Sequence, residues 1–284
     1  MDQARTVKTV VTPEPTMEGA GVRLKRSIAT RTLSELDPFL LFDHFGSDDP
    51  DDYLAGFPMH PHRGIETVTY MLAGTVRHRD TLGNSGMIGP GDLQWMTSGR
   101  GILHEEMPQR SARLDGFQLW VNLPARLKMT APRYQDISAA KIPIWNGENA
   151  VTIRVVAGEV GPVRGAVTDI AAATTYLDVS VPSEGTFTHP IPRGHAAFAY
   201  LFEGEATFGV TPEAGGTAAR APKMLILDDG DHLTVRTGPA PARFLIVSGQ
   251  PLNEPIARYG PFVMNTREEI EQTLRELREG TFIR

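Results

Sequence analysis

The chain has 284 residues, 40% of them hydrophobic and 22% charged, with a formal net charge of −6. This composition is typical of a globular protein, and the negative charge argues against a broad nucleic-acid-binding surface, which is normally basic. The absence of cysteine excludes disulfides, thiolate metal sites and a cysteine nucleophile. Neither a signal peptide nor an apolar run of the roughly 20 residues that span a bilayer is found, so we expect a cytoplasmic protein without membrane contact.

The length suits two domains of about 140 residues each. The 28 glycines and 22 prolines favour a turn-rich, all-β architecture. Short strands are predicted within residues 6–32, followed by an acidic loop at 46–57 that is either a lid or a solvated connection. Residues 66–72 predict a strand that ends at Ala73-Gly74, with 76–79 as its hairpin partner. Further strand patterns occur at residues 93–96 and 117–123.

Residues 124–148 contain prolines and little periodicity, which is typical of a connecting segment. We therefore predict an N-terminal domain at 1–140 and a C-terminal domain at 141–284. Only the C-terminus predicts a helix, because Thr266 and Glu269 fit a capping box and Gly280 fits the position that follows a helix.

The second half repeats landmarks of the first, with Tyr200 and Gly204 matching Tyr70 and Gly74, and Gly230-Asp231 matching Gly91-Asp92. Four polar residues of the first half are candidates for a site: His60, His62, His104 and Glu106. In the second half, the corresponding positions hold Pro190, Pro192, Arg243 and Leu245. The pattern predicts the same fold in both halves, with metal ligands in the first half alone.

The four polar residues form two pairs, each with i, i+2 spacing: His60 with His62, and His104 with Glu106. Side chains two apart on a strand point to the same face, so adjacent strands would bring all four groups onto one cation. Three imidazoles and one carboxylate suit Fe, Ni, Cu or Zn and leave about two of six octahedral positions open. A lone His-x-His pair is commonly exposed at the surface and binds no metal. The second pair, His-x-Glu, strongly favours a metal site.

Several segments resemble the pirin family of the cupin superfamily. The family's pattern is matched at residues 60–66, 90–104 and 118–124, and also at 37–40 and 259–266. The resemblance covers nearly the whole chain, and the long motif before His104 is highly specific.

The resemblance implies a bicupin, in which two β-barrels lie face to face and a short helix follows. It also implies non-haem iron, Fe(II), held by His60, His62, His104 and Glu106, with Mn, Ni, Cu or Zn as alternatives. Glu105 separates the last two ligands, and i, i+2 geometry favours Glu106. Glu66, at the carboxylate position of the general cupin motif, has either a supporting or a solvent-facing role.

Two functions from different classes follow from the resemblance. The first is a quercetin 2,3-dioxygenase that opens a flavonol ring with O₂, with Glu106 as the catalytic base. Its pocket walls would come from Phe45, Phe57 and Trp95, although each of these aromatics is by default an ordinary core or rim residue. Arg63 either touches substrate or pairs with a carboxylate. The second is an iron-dependent regulator of transcription or metabolism that binds a protein partner without significant turnover. We expect a monomer in either case.

Overall fold

The computed structural model describes residues 3–211 and 214–283. Strands dominate the chain. Those of the first half are β1 (Val7–Val11), β2 (Glu14–Glu18), β3 (Val22–Ile28), β4 (Phe39–Ser47), β5 (Phe57–His62), β6 (Ile65–Ala73), β7 (Thr75–Asp80), β8 (Ser85–Ile88), β9 (Leu93–Thr97), β10 (Ile102–Gln109), β11 (Leu114–Asn122) and β12 (Arg133–Ile137).

The second half continues in the same way and ends in the helix α1 (Arg267–Glu279). Its strands are β13 (Ile144–Asn146), β14 (Thr152–Ala157), β15 (Glu159–Val160), β16 (Val163–Arg164), β17 (Thr175–Val181), β18 (Thr186–Pro190), β19 (Ala196–Phe208), β20 (Thr217–Arg220), β21 (Lys223–Leu227), β22 (His232–Gly249), β23 (Ala257–Tyr259) and β24 (Phe262–Met264). Single 3₁₀ turns lie at Pro50–Asp52, Ala125–Leu127, Ala139–Lys141, Glu148–Ala150 and Ala171–Ala173.

The chain forms two compact units. The first unit comprises Glu14–Ala139 with Leu252–Arg284, and the second comprises Met1–Pro13 with Ala140–Pro251. The units thus change over near residue 140, where the sequence places a domain boundary. These units differ from the predicted division at 1–140 and 141–284 in the two chain ends. The N-terminal strand β1 pairs with β21 of the second unit, and the C-terminal helix α1 packs against β23 and β24 of the first.

Both units contain a sheet with the same seven-strand path. In the first unit the order is β12-β9-β6-β11-β4-β3-β2, and a second sheet has the order β5-β10-β7-β8. In the second unit the order is β1-β21-β19-β22-β17-β14-β13, with β18 added beside β22. The predicted hairpin partner at residues 76–79 is therefore placed wrongly, because β7 pairs with β10 and β8 and not with β6.

Alternating strands fill each unit with apolar side chains. In the first unit one core cluster includes Val22, Phe45, Met71 and Leu114, all buried. Tyr53, in the predicted acidic loop, is buried in the same cluster, and its hydroxyl donates to the carbonyl oxygen of Ser111 over 2.9 Å. That loop is therefore anchored to the core at Tyr53, whereas Asp48, Asp49 and Asp51 are exposed.

The helix α1 has the ends that the sequence predicts. The Thr266 hydroxyl accepts from the Glu269 amide, the Glu269 carboxylate accepts from the Thr266 amide, and Gly280 takes a left-handed conformation with φ of 70°. The capping box satisfies amides that lack partners in the first turn. No helix in the described residues has the length and apolar character needed to cross a membrane.

Candidate metal centre and cavity

The strands β5 and β10 bring the two ligand pairs together. They run antiparallel, and His104 lies directly opposite His60 in the ladder. The register shifts between His104 and Glu106, where a bulge places Glu106 opposite Phe57. The extra residue lies on β5, whereas β10 pairs with β7 in regular register, so Glu106 stays on the same face of β10 as His104.

Three imidazoles converge at this point of the first unit. The ring nitrogens of His60, His62 and His104 lie within 4.8 Å of one another, and the Nε2 atoms of His60 and His62 are 3.0 Å apart. The three ring centroids are 4.5 to 5.0 Å apart. Imidazole nitrogens that converge in this way form a set of donor atoms suited to a transition-metal ion.

The surroundings of these rings fit a cation. Both nitrogens of His104 are buried and have no protein hydrogen-bond partner, although buried polar atoms are normally paired. The His60 Nδ1 atom lies 2.9 Å from the Pro58 carbonyl oxygen; donation from Nδ1 leaves Nε2 with a free lone pair. Burial lowers the pKa of His62 and His104 well below the usual value, and neighbouring histidines lower both further. Neutral imidazole is the form that binds a metal.

Glu106 lies beside this group but not within the set of three converging nitrogens. It is buried, and its Oε1 atom is 2.9 Å from the Thr69 hydroxyl, which is also 2.7 Å from Gln118 Oε1. Glu105 points elsewhere, because Arg79 binds its carboxylate at 2.6 Å. The ligand role of Glu106 stays a prediction.

A cavity of about 500 Å³ opens beside the imidazoles and is lined mostly by apolar side chains. His60, His62 and Glu106 line it, as do the predicted wall residues Phe45 and Phe57. Trp95 was predicted wrongly, because it is fully buried and is not among the lining residues. The indole that lines the cavity is Trp120, whose ring meets His62 edge-on at 5.1 Å.

Two charged neighbours of the site have structural partners. Arg63 donates to Glu276 over 2.7 Å and to the Thr273 hydroxyl over 3.0 Å, so it pairs with a carboxylate and does not line the cavity. Glu66 is buried and accepts from the Thr97 hydroxyl over 2.8 Å, which excludes a solvent-facing role.

The second unit differs from the sequence prediction in its matching positions. Pro190 of β18 lies opposite His232 of β22, but Pro190 is exposed, and the buried residues His189 and Leu233 lie opposite each other one position away. The buried face of this part of β22, which corresponds to the face of β10 that carries His104 and Glu106, holds Leu233 and Val235. Arg243 and Leu245 are wrong because they lie farther along β22, where it pairs with β17.

The error came from matching Gly91-Asp92 with Gly230-Asp231. The strands β9 and β21 occupy equivalent places in the two sheets. Asp92 directly precedes β9, whereas Gly230-Asp231 follows β21, which ends at Leu227, so the two pairs are not equivalent. The buried face of β22 is thus apolar at these positions, and within the described residues no group of three metal-binding side chains occurs in the second unit.

Comparison with known proteins agrees with this architecture. The family model described as Pirin matches residues 21–121, and the one described as Pirin C-terminal cupin domain matches residues 176–283. A Pseudomonas aeruginosa protein that is provisionally named a quercetin 2,3-dioxygenase is 44% identical over 99% of both chains. Human pirin is 40% identical over 99% of this chain and 94% of its own.

A solved structure extends the likeness to three dimensions. Quercetin 2,3-dioxygenase from Acinetobacter baumannii superposes with a TM-score of 0.88, at 34% identity over 99% of both chains. Two matching family models, full-length relatives and two cupin units lead to one conclusion: the chain belongs to the pirin family of cupin proteins.

Proposed function

We propose that this protein is a metal-dependent dioxygenase of the quercetin 2,3-dioxygenase type, which opens the central ring of a flavonol with O₂. The observation that carries the proposal is the convergence of three imidazoles, two of them buried, beside a largely apolar cavity of about 500 Å³. Mostly apolar pockets with a few convergent polar groups are typical of small-molecule sites. The names of the Pseudomonas and Acinetobacter proteins support the same reaction.

Each side chain then has a defined task. His60, His62 and His104 would hold the ion, and Glu106 would complete the set. A bound Fe(II) ion would supply Lewis acidity toward the enol oxygen and a redox couple toward O₂. Thr69 donates to one Glu106 oxygen, which leaves the other oxygen to accept the proton of the flavonol 3-hydroxyl.

The cavity walls would orient the substrate and exclude water. Phe45, Phe57 and Trp120 offer flat apolar surfaces for the flavonol rings. The overall reaction adds both oxygen atoms of O₂ and releases one carbon as carbon monoxide, so quercetin and O₂ yield one depside and one carbon monoxide.

Anaerobic loading with Fe(II), followed by quercetin and O₂, tests this proposal. Loss of flavonol absorbance should match carbon monoxide release, and His62→Ala should reduce the rate at least a hundredfold because it removes an ion ligand. Metal analysis should find about one equivalent per chain. Turnover no faster than that of His62→Ala would overturn the enzymatic function and favour an iron-dependent regulator; two metal equivalents, or none, would contradict the site itself.

A further inference from the structure

Two arginines line the cavity, and they differ in what their guanidinium groups bind. Arg26 donates to both Asp43 carboxylate oxygens, over 2.8 and 2.7 Å, and to Glu18 over 2.6 Å. Such a bidentate pair is strong and directional. Arg26 therefore holds the wall of the cavity together, and it would have to break these bonds to bind a ligand.

Arg258 lines the same cavity but has no carboxylate partner among the ion pairs of the described residues. Its Nε donates to the Gly260 carbonyl over 3.2 Å and its Nη1 to the Leu40 carbonyl over 3.1 Å. These two bonds fix the side chain and involve neither of its Nη2 hydrogens. The carboxylates of Glu35, Glu18 and Asp43 interact with its charge only at longer range, without an ion pair. A cation on the wall of a largely apolar cavity is well suited to recognise an anion.

The position of Arg258 relative to the metal centre follows from Trp120. The guanidinium carbon lies 5.1 Å from the Trp120 ring centroid, and that ring lies 5.1 Å from the His62 ring centroid. Arg258 is therefore within about 10 Å of the His62 imidazole. A ligand of two or three fused or linked rings that chelates the ion at one end is long enough to contact Arg258 with its other end.

We propose that Arg258 is a specificity-determining residue that binds an anionic oxygen at the end of the ligand remote from the metal. The site would thus select chelating aromatic enols that carry a carboxylate or phenolate on their far ring. This inference rests on the proposed function for the chelated end of the ligand. In quercetin the catechol oxygens would occupy the same place.

A matched ligand pair tests the inference by binding alone. Fe(II)-loaded protein under nitrogen is titrated with 3-hydroxyflavone and with its 4′-carboxy derivative, while tryptophan fluorescence is followed. The chelating ends are identical, so the ratio of the two Kd values reports the far end. Wild type should bind the carboxylate about tenfold more tightly, as for a charge-assisted hydrogen bond, and this preference should shrink with added salt.

Three variants separate the role of Arg258 from general effects. Arg258→Met should bind both ligands within twofold of each other, and Arg258→Lys should keep part of the preference. Arg267→Met removes the same charge from an exposed side chain of α1 that does not line the cavity, and it should behave as wild type. Circular dichroism and one metal equivalent per chain would show that each variant is folded.

The outcomes are distinct from those of the turnover experiment. Equal affinity of wild type for the two ligands, or an unchanged ratio in Arg258→Met, would overturn the role of Arg258. Failure of wild type to bind either ligand would overturn it as well. Quercetin turnover by the same preparation decides the proposed function independently, because it does not depend on the carboxylate ratio.

Discussion

His104 is the residue whose surroundings depend most on a bound ion. It is fully buried, and neither of its ring nitrogens has a hydrogen-bond partner among the protein atoms. Burial of an unpaired polar group costs about 1–3 kcal/mol. A metal ion that binds one of these nitrogens would offset that cost. The unpaired nitrogens therefore lower the stability of the metal-free protein and raise its affinity for a metal ion.

We expect His104→Leu to abolish stabilisation by metal. At a free metal concentration of 100 times its Kd, the ion adds about 2.7 kcal/mol to the free energy of unfolding of wild type. The variant should gain none, and without metal it should be at least as stable as wild type because leucine needs no partner. Urea unfolding with and without Fe(II) measures both quantities.

His189→Leu is the matched control, because His189 is also a buried histidine but lies in the second unit, away from the converging imidazoles. It should keep the full metal effect. Equal stabilisation of His104→Leu and wild type by Fe(II) would exclude His104 as a ligand.

Lys128 is a second buried ionisable residue near the site. Its Nζ donates to the carbonyl oxygens of Gly64 and Val263, over 3.0 and 2.9 Å, and to the Asn122 side chain over 2.8 Å. It thereby ties the turn after β5 to β24. Gly64 has φ of 81°, and a side chain there would collide with Val263, so the turn depends on this close approach.

Burial lowers the pKa of Lys128 to about 8, against 10.5 for the free side chain. Between these two values the unfolded chain binds one more proton than the folded chain, so raising the pH favours folding. This group should add up to about 3 kcal/mol of stability as the pH rises from 8 to 10.5. Urea midpoints of wild type and Lys128→Met across that range provide the test: their difference should grow in favour of wild type, and a constant difference would contradict the shift.

At the scale of elements, the site depends on β5, β10 and α1. The ladder between β5 and β10 brings three histidines together, and α1 supports the residue that follows the first pair. The Arg63 guanidinium donates to Glu276 and lies 4.4 Å from the Phe282 ring centroid. The C-terminal segment therefore buttresses the turn next to His62.

Glu276→Ala should destabilise the protein by about 3–5 kcal/mol, because it removes the buried carboxylate that the buried Arg63 guanidinium binds at 2.7 Å. Metal affinity should fall as well, since Arg63 directly follows His62. The double variant Arg63→Met with Glu276→Leu should recover most of the stability. Glu271→Ala, which removes the exposed partner of Arg267 on the same helix, should cost less than about 0.5 kcal/mol. Chemical denaturation measures the free energy of unfolding of both single variants. Equal values for the two would contradict a structural role for the buried pair.

At the scale of the whole molecule, each unit is completed by a segment from the opposite end of the chain. Residues before Pro13 add β1 to the second unit, and residues after Leu252 add β23, β24 and α1 to the first. Arg5 anchors the N-terminal segment, and it is fully buried. Its guanidinium donates to four backbone carbonyl oxygens, those of Gly230, His195, Asp228 and Pro192.

Arg5→Met should therefore weaken the second unit selectively. Loss of a donor to four backbone carbonyl oxygens, one in a buried bond and three in partly buried bonds, should cost about 3 kcal/mol. Hydrogen exchange followed by mass spectrometry should show faster exchange within residues 140–251 and unchanged exchange in β5 and β10. Lys8→Met, an exposed change in the same segment, should leave both regions protected, and uniform loss of protection across the chain in Arg5→Met would contradict the assignment of Arg5 to one unit.

The all-β class, the C-terminal helix and the three histidines that converge could be predicted from residue patterns alone. Period-two alternation marks strands wherever one face is buried, the capping box marks a helix start, and i, i+2 spacing puts His60 and His62 on one face. These signals are local, so they can be read without knowledge of the fold.

Features that depend on which strands pair could be identified only in the three-dimensional structure. The sheet register places Arg243 and Leu245 where β22 pairs with β17 and not where it pairs with β18, and it keeps Glu106 on the same face of β10 as His104. The cavity wall is likewise formed by Trp120 and Arg258 and not by Trp95. Strand pairing and closure of the chain ends join residues that are far apart in sequence, and neither composition nor periodicity specifies such pairs.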